Sequence, residues 1–99
     1  MLNMKVESRF KRDLKDCEKR HWDMAAIKEV INLLISSDNA EMPQTFNDHA
    51  LAGALKGKRS LHVNNAKQPK HDKWVLLYEI VGDTIVLLRT GTHDEVYGK

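Results

Sequence analysis

The sequence predicts an α+β protein of two layers, with an N-terminal strand and a helical hairpin packed on an antiparallel β-sheet. Three observations carry that expectation. Two apolar stripes at helical spacing follow one another, Phe10, Leu14, Cys17 and His21, then Met24, Ile27, Val30, Ile31 and Leu34. Two apolar stretches, Trp74–Val81 and residues 84–88, flank Gly82-Asp83, a recognised two-residue hairpin signal. Taken along the chain, the order is strand, helix, helix, then three strands, with no internal repeat or low-complexity segment.

In chain order, residues 4–7 are expected as a short strand with Val6 pointing inward. Ser8 is placed to cap the first helix, whose outer face is filled by lysines, arginines and acids. After a break at residues 21–23, Asp23 caps the second helix, and Trp22 before that cap and Ile27 within it are placed to form a hydrophobic staple. The polar stretch 36–41 and Met42-Pro43 end the helix. Residues 46–57 are punctuated by glycine and lack a period, as in an irregular connector with one helical turn. A strand over 59–63 and a polar, lysine-rich loop over 64–73 follow. Trp74–Val81 is apolar on both faces apart from Glu79, so it belongs in the middle of the sheet. The Gly82-Asp83 turn sets Val81 opposite Thr84 and Leu76 opposite Arg89, so Arg89 is expected to share a face with Trp74, Leu76 and Tyr78. The last strand leaves through Arg89-Thr90-Gly91-Thr92-His93, which brings polar groups to the end of a buried strand, where rigid scaffolds present reactive side chains. The plainer alternative is that Arg89 is a solvated strand end and His93 opens a short surface helix.

Ninety-nine residues, 41% of them hydrophobic, suit one domain over 1–99 with a single modest core. No apolar run is long enough for a bilayer and the N-terminus lacks the apolar block of a signal peptide, so a soluble, cytoplasmic protein without membrane contact is expected. The one cysteine, Cys17, cannot form an internal disulfide, in keeping with a reducing compartment. The net charge of +2 conceals an asymmetry. Lys56, Lys58, Arg59, Lys67, Lys70 and Lys73 face only Asp72 between residues 56 and 73, whereas residues 23–48 hold five acids against Lys28. Such a chain can steer a polyanion to one side, although a solvated basic loop would look the same.

Cys17 and His21 are the one pair at metal-ligand spacing, and no third and fourth ligand follow at a recognisable distance, so neither a metal nor a cofactor is expected. His21 suits a cation near a helix C-terminus. The chain has neither a phosphate-binding P-loop nor a Gly-x-Ser-x-Gly elbow. What remains is His49, His62 and His93, with Arg89, Arg59 and several lysines, and with Trp74 and Tyr97 near them in sequence. Imidazoles exchange protons with hydroxyl groups near neutral pH. Arginines stabilise the extra negative charge of a phosphorane-like transition state, and aromatic rings stack on an unstacked base. Those are the needs of RNA cleavage in which the 2′-hydroxyl is the nucleophile. Scattered surface histidines are the competing explanation.

Asp48-His49-Ala50-Leu51-Ala52-Gly53, Lys56-Gly57-Lys58-Arg59, Leu61-His62-Val63, residues 74–80 and Arg89-Thr90-Gly91-Thr92-His93 with Tyr97 resemble the YafQ branch of the RelE-like bacterial toxins. The similarity extends over nearly the whole chain. It implies the RelE-like two-layer fold and a ribosome-dependent mRNA endoribonuclease of a type II toxin-antitoxin pair, neutralised by a cognate antitoxin in a hetero-oligomeric complex. By position, His49, His62, Arg89 and His93 match the catalytic residues, and Trp74 and Tyr97 the aromatic positions, Tyr97 standing where phenylalanine is usual. The family places an aspartate directly before the tryptophan in a short link. Here residues 64–73 lengthen that link, Lys73 precedes Trp74, and Asp72, one residue further back, is the candidate for the acid's place. Lys56, Arg59 and Lys73 join Trp74 and Tyr97 as candidate RNA contacts. The alternative is an RNA- or ribosome-binding module of the same fold that has lost catalysis through the altered Asp72 region.

Overall fold

Alternation along the most apolar strand generates the two layers. The structure, a computed structural model, describes residues 3–37, 49–63 and 74–97, without the side chains of Ser37 and His49. Strand β1 (Asn3–Val6) is followed by helices α1 (Ser8–Lys19) and α2 (Met24–Ser37), then β2 (His49–Ala50), β3 (Arg59–His62), β4 (Trp74–Val81), β5 (Thr84–Thr92) and helix α3 (His93–Tyr97). The strands form one sheet in the order β1-β5-β4-β3-β2, with β4 at its centre. β1 runs parallel to β5 and the remaining pairs are antiparallel, so the sheet is mixed. Among the described residues no helix is long and apolar enough to cross a membrane.

On β4, Trp74, Leu76 and Tyr78 pack under the helices against Phe10, Cys17, Ile27, Val30 and Leu34, joined by Leu61, Ile85 and Leu87 of the neighbouring strands. The alternate residues Val75 and Leu77 face the other way and are covered by Val96 of α3 with Leu51, Leu88 and Tyr97. Burial on both faces is the reason β4 reads as an almost unbroken apolar run.

The helical hairpin is set by its connection. His21 takes φ 63°, its N–H bonds the Glu18 carbonyl at 3.0 Å, and the Trp22 N–H bonds the Cys17 carbonyl at 3.2 Å. This is the paired-bond ending that usually employs glycine at the left-handed residue. His21 therefore lies beyond the helix, exposed, rather than on its apolar stripe. Ser8 is the first helical residue, and Glu7 at the N-cap makes no side-chain cap bond. Asp23 caps α2 as expected, its Oδ1 accepting the N–H groups of Ala25 at 3.1 Å and Ala26 at 3.3 Å. Trp22 packs on the core and meets Trp74 edge-on, with ring centroids 5.0 Å apart.

Three further expectations are corrected. The connector holds a two-residue strand, β2, with His49 opposite Ser60 and Ala50 opposite Arg59, ahead of a single 3-10 turn at Gly53–Leu55. Residues 89–92, expected as the exit from the last strand, are still strand, β5 running on to Thr92. Finally, the hairpin keeps the expected register only from Val81↔Thr84 to Tyr78↔Leu87. Gly82, at φ 61°, supplies the positive dihedral of a primed two-residue turn. A bulge then inserts Leu88, so Arg89 pairs with Leu77 and Thr90 with Leu76.

Candidate active site

α3 is attached to the end of β5 by reciprocal bonds. Thr92 Oγ1 accepts the Glu95 N–H at 3.2 Å, and Glu95 Oε1 accepts the Thr92 N–H at 3.0 Å. This is a capping box, and Thr92-His93-Asp94-Glu95 has its sequence form. The consequence is a fixed starting direction for the helix that carries His93 and Tyr97. Their rings lie 4.5 Å apart, centroid to centroid. The Tyr97 hydroxyl donates to Ser60 Oγ at 2.6 Å, which ties the far end of α3 to β3. Ser60 pairs with His49 across the β2–β3 ladder, and His62 stands two residues further along β3 on the face of Ser60. The backbone thus sets His49 and His62 on neighbouring strands and ties α3, which carries His93 and Tyr97, to β3 at Ser60.

Arg89 lies at the junction of α3 with α1. Its Nε donates to Asp13 Oδ2 at 2.7 Å, and its Nη2 to Asp13 Oδ1 at 3.4 Å and to the Glu95 carbonyl at 3.1 Å. The plainer alternative of a solvated strand end therefore does not hold: Arg89 is a held arginine, its side chain 22% exposed. A second ion pair joins the C-terminal end of α1 to α3. Arg20, stacked over the Trp22 ring at 5.3 Å, donates through both terminal nitrogens to the Glu95 carboxylate, Nη1 to Oε1 at 2.7 Å. Gly91, at φ 147°, passes beneath this carboxylate, and a Cβ there would come within 3.0 Å of Glu95 Oε1. The residues between α1 and β5 enclose a polar cleft of about 200 Å³, in which Arg9, Arg20 and Arg89 face Asp13, Asp16 and Glu95. Cys17 lines it too, but burial pushes its thiol up to about 12, far from a reactive thiolate at neutral pH.

The Arg20 hydrogen bond, aided by the Thr92 N–H and opposed by partial burial, brings the Glu95 carboxyl from its ordinary 4.5 down to about 2. A depressed acid stabilises the fold above its unfolded value, and that contribution is lost as pH falls from about 4.5 toward 2. Both side chains are 39% exposed, so solvent screening keeps the effect below about 1 kcal/mol. Glu95→Gln is expected to lose less Tm than the parent between pH 6 and pH 3 in thermal melts. An equal loss would mean that the clamp contributes nothing.

The other expected contacts divide. Arg59 pairs with Tyr78, and so belongs to the sheet face opposite that of Ser60 and His62. Lys56 is exposed beside the 3-10 turn. Trp74, expected to stack on a base, is 1% exposed, and its Nε1 donates to Thr90 Oγ1 at 2.7 Å, so its ring belongs to the core. Asp72, Lys73 and the basic loop 64–73 lie outside the described residues, as does the His49 side chain. Asp13, Arg20, Ser60 and Glu95 were not among the expected site residues. Two of them had a signal: Asp13 stands between Phe10 and Cys17 on the inward stripe of α1, and Glu95 completes the Thr92 capping box.

The fold is that of a class of bacterial toxins, those of type II toxin-antitoxin systems. The profile described as "Bacterial toxin of type II toxin-antitoxin system, YafQ" matches residues 2–98, and the chain belongs to that family. It is 31% identical over 96 residues to the mRNA interferase toxin YafQ of Escherichia coli strain K12, covering 97% of this chain and 96% of that protein. Among solved structures it is similar to YafQ from E. coli strain BL21(DE3), with a TM-score of 0.84 and 31% identity over 99% of this chain and 100% of the other. It is similar as well to a chain of the E. coli DinJ-YafQ toxin-antitoxin complex, with a TM-score of 0.82, 32% identity and 98% of each chain covered.

Proposed function

We propose that this chain is, as one toxin domain, an endoribonuclease that cleaves mRNA on the ribosome, acting in the cytoplasm and held inactive by a cognate antitoxin. What supports the reading is that β2 and β3 carry His49 and His62 side by side, that α3, which opens on His93, is tied to β3 through Tyr97 and Ser60, and that Arg89 is held against the same α3 through the Glu95 carbonyl. Kinship with the E. coli mRNA interferase supports the substrate, and the DinJ-YafQ complex supports the antitoxin. In this mechanism the 2′-hydroxyl of the message attacks the adjacent phosphorus, and the bond to the 5′-oxygen breaks. One imidazole takes the 2′-hydroxyl proton and another protonates the leaving oxygen. His93 is assigned as the acid and His49 or His62 as the base, with the Arg89 guanidinium on the phosphate.

Dependence on the ribosome follows from how little of the site is built for loose RNA. Tyr97 stands beside the His93 imidazole, whereas Trp74, expected to stack on a base, is committed to the core. The ribosome would then supply the positioning that base stacking does not. Purified protein is expected to cut ribosome-bound message at least about a hundredfold faster than the same RNA alone, and the cognate antitoxin to stop it. Equal rates on both substrates would point to a general nuclease. Ribosome association without cleavage would make the chain a binding module.

A further inference from the structure

We propose that Asp13 of α1 is a positioning residue for Arg89, extending the cleavage site to a helix 76 positions away in sequence. The inference rests on the reading of Arg89 as the group that holds the phosphate.

Asp13 is 7% exposed, on the stripe between Phe10 and Cys17. A carboxylate in such a place destabilises the fold unless its oxygens are satisfied. The donors that satisfy them come chiefly from two consecutive residues of β5. Arg89 Nε and Nη2 approach at 2.7 and 3.4 Å, and the Thr90 N–H bonds Oδ2 at 3.2 Å. Arg9 Nε, at 3.5 Å and largely exposed, adds a weaker contact. One acid therefore fixes both the plane of the guanidinium and the backbone that carries it.

The orientation matters for chemistry. Asp13 grips the guanidinium by its Nε edge, and Nη2 also donates to the carbonyl of Glu95, two residues after His93. Among the described residues Nη1 makes no hydrogen bond, which leaves its two N–H groups for a phosphate oxygen. The bulge at Leu88 contributes by moving Arg89 out of the regular register, opposite Leu77. Transition-state stabilisation is sensitive to such aim, and an error near 1 Å can cost about a hundredfold. The acid holds the arginine by pairing with it, and touches no substrate itself.

A structural ion pair would look similar at rest, so the test is a double-mutant cycle on activity. Single-turnover cleavage of ribosome-bound mRNA is measured for the parent, Asp13→Asn, Arg89→Ala and the double variant, with Tm recorded for each. Asp13→Asn is expected to slow cleavage about tenfold while the half-saturating ribosome concentration stays within about twofold, and the double variant to cleave no slower than Arg89→Ala alone. Asp13→Glu keeps the charge but displaces the carboxylate by one methylene. It is expected to melt near the parent and still lose severalfold in rate, which guards against a fold defect in the amide variant. Parental rates in Asp13→Asn or Asp13→Glu would overturn the proposal, as would an equal slowing by Asp13→Asn in both backgrounds. If Arg89→Ala itself cleaves at the parental rate, the phosphate-holding role of Arg89 fails and takes the proposal with it.

Discussion

Arg89→Ala and His93→Ala are each expected to slow mRNA cleavage about a hundredfold or more, without loss of folded protein. For His93 the reason is position: its imidazole opens α3 on the exposed side, 4.5 Å from the Tyr97 ring, and buries nothing that the core requires. Removing it takes away an acid and leaves the capping box of α3 intact. Arg89 is different, because truncation leaves the buried Asp13 carboxylate, among the described residues, with the Thr90 N–H and the weaker Arg9 contact. A moderate drop in Tm, about 1–3 kcal/mol in stability, should therefore accompany the rate loss in Arg89→Ala and be absent in His93→Ala. Rates and melts measured together separate the two effects. Near-parental cleavage by both variants would remove the site from this end of the sheet.

The second large effect belongs to Trp74, and it is one of stability. Trp74→Ala is expected to cost about 3–5 kcal/mol, enough to lower Tm by more than about 10 °C in a chain of this size. The ring fills the space between Trp22 and the sheet, and its Nε1 starts a buried relay in which Thr90 Oγ1 donates onward to the Val75 carbonyl at 2.9 Å. Trp74→Phe keeps most of the apolar volume and loses the hydrogen bond, so about 1–2 kcal/mol is the expected loss. A Trp74→Ala variant that melts like the parent yet cleaves poorly would restore the ring to the substrate and contradict its place in the core.

Much of the fold was legible because its signals are local. Gly82-Asp83 gave the hairpin, Asp23 the start of α2, and the apolar spacing of residues 24–34 its buried face. The misses are decided by distant parts of the chain or by local geometry that leaves the residue pattern unmarked. β1 pairs in parallel with β5 across most of the sequence, and nothing within residues 3–6 announces that partner. A bulge of one residue at Leu88 leaves the apolar run unchanged while it re-registers everything beyond it. At the helix ending, His21 occupies a left-handed position that glycine usually marks. The site divides along the same line. The motif residues His62, Arg89, His93 and Tyr97 could be named from sequence, whereas the bonds that tie Tyr97 to β3 and Arg89 to α1 could not. Their supports Asp13, Arg20 and Ser60 come from elements remote in sequence. Trp74 shows the limit of composition, since an aromatic residue beside basic ones suits a base platform and a core equally well until burial is known.

The chemistry of the cut ends is the measurement that decides the mechanism. Attack by the 2′-hydroxyl makes the upstream fragment end in a 2′,3′-cyclic phosphate, or the monophosphate derived from it, and the downstream fragment begin with a 5′-hydroxyl. Message cleaved on ribosomes by the purified protein, with the His93→Ala variant as control, is expected to carry those termini and to show few cuts in the control. Upstream fragments with a 3′-hydroxyl and downstream fragments with a 5′-phosphate would mean that water attacks and the 3′-oxygen leaves, and would contradict the proton-transfer roles given to His49, His62 and His93.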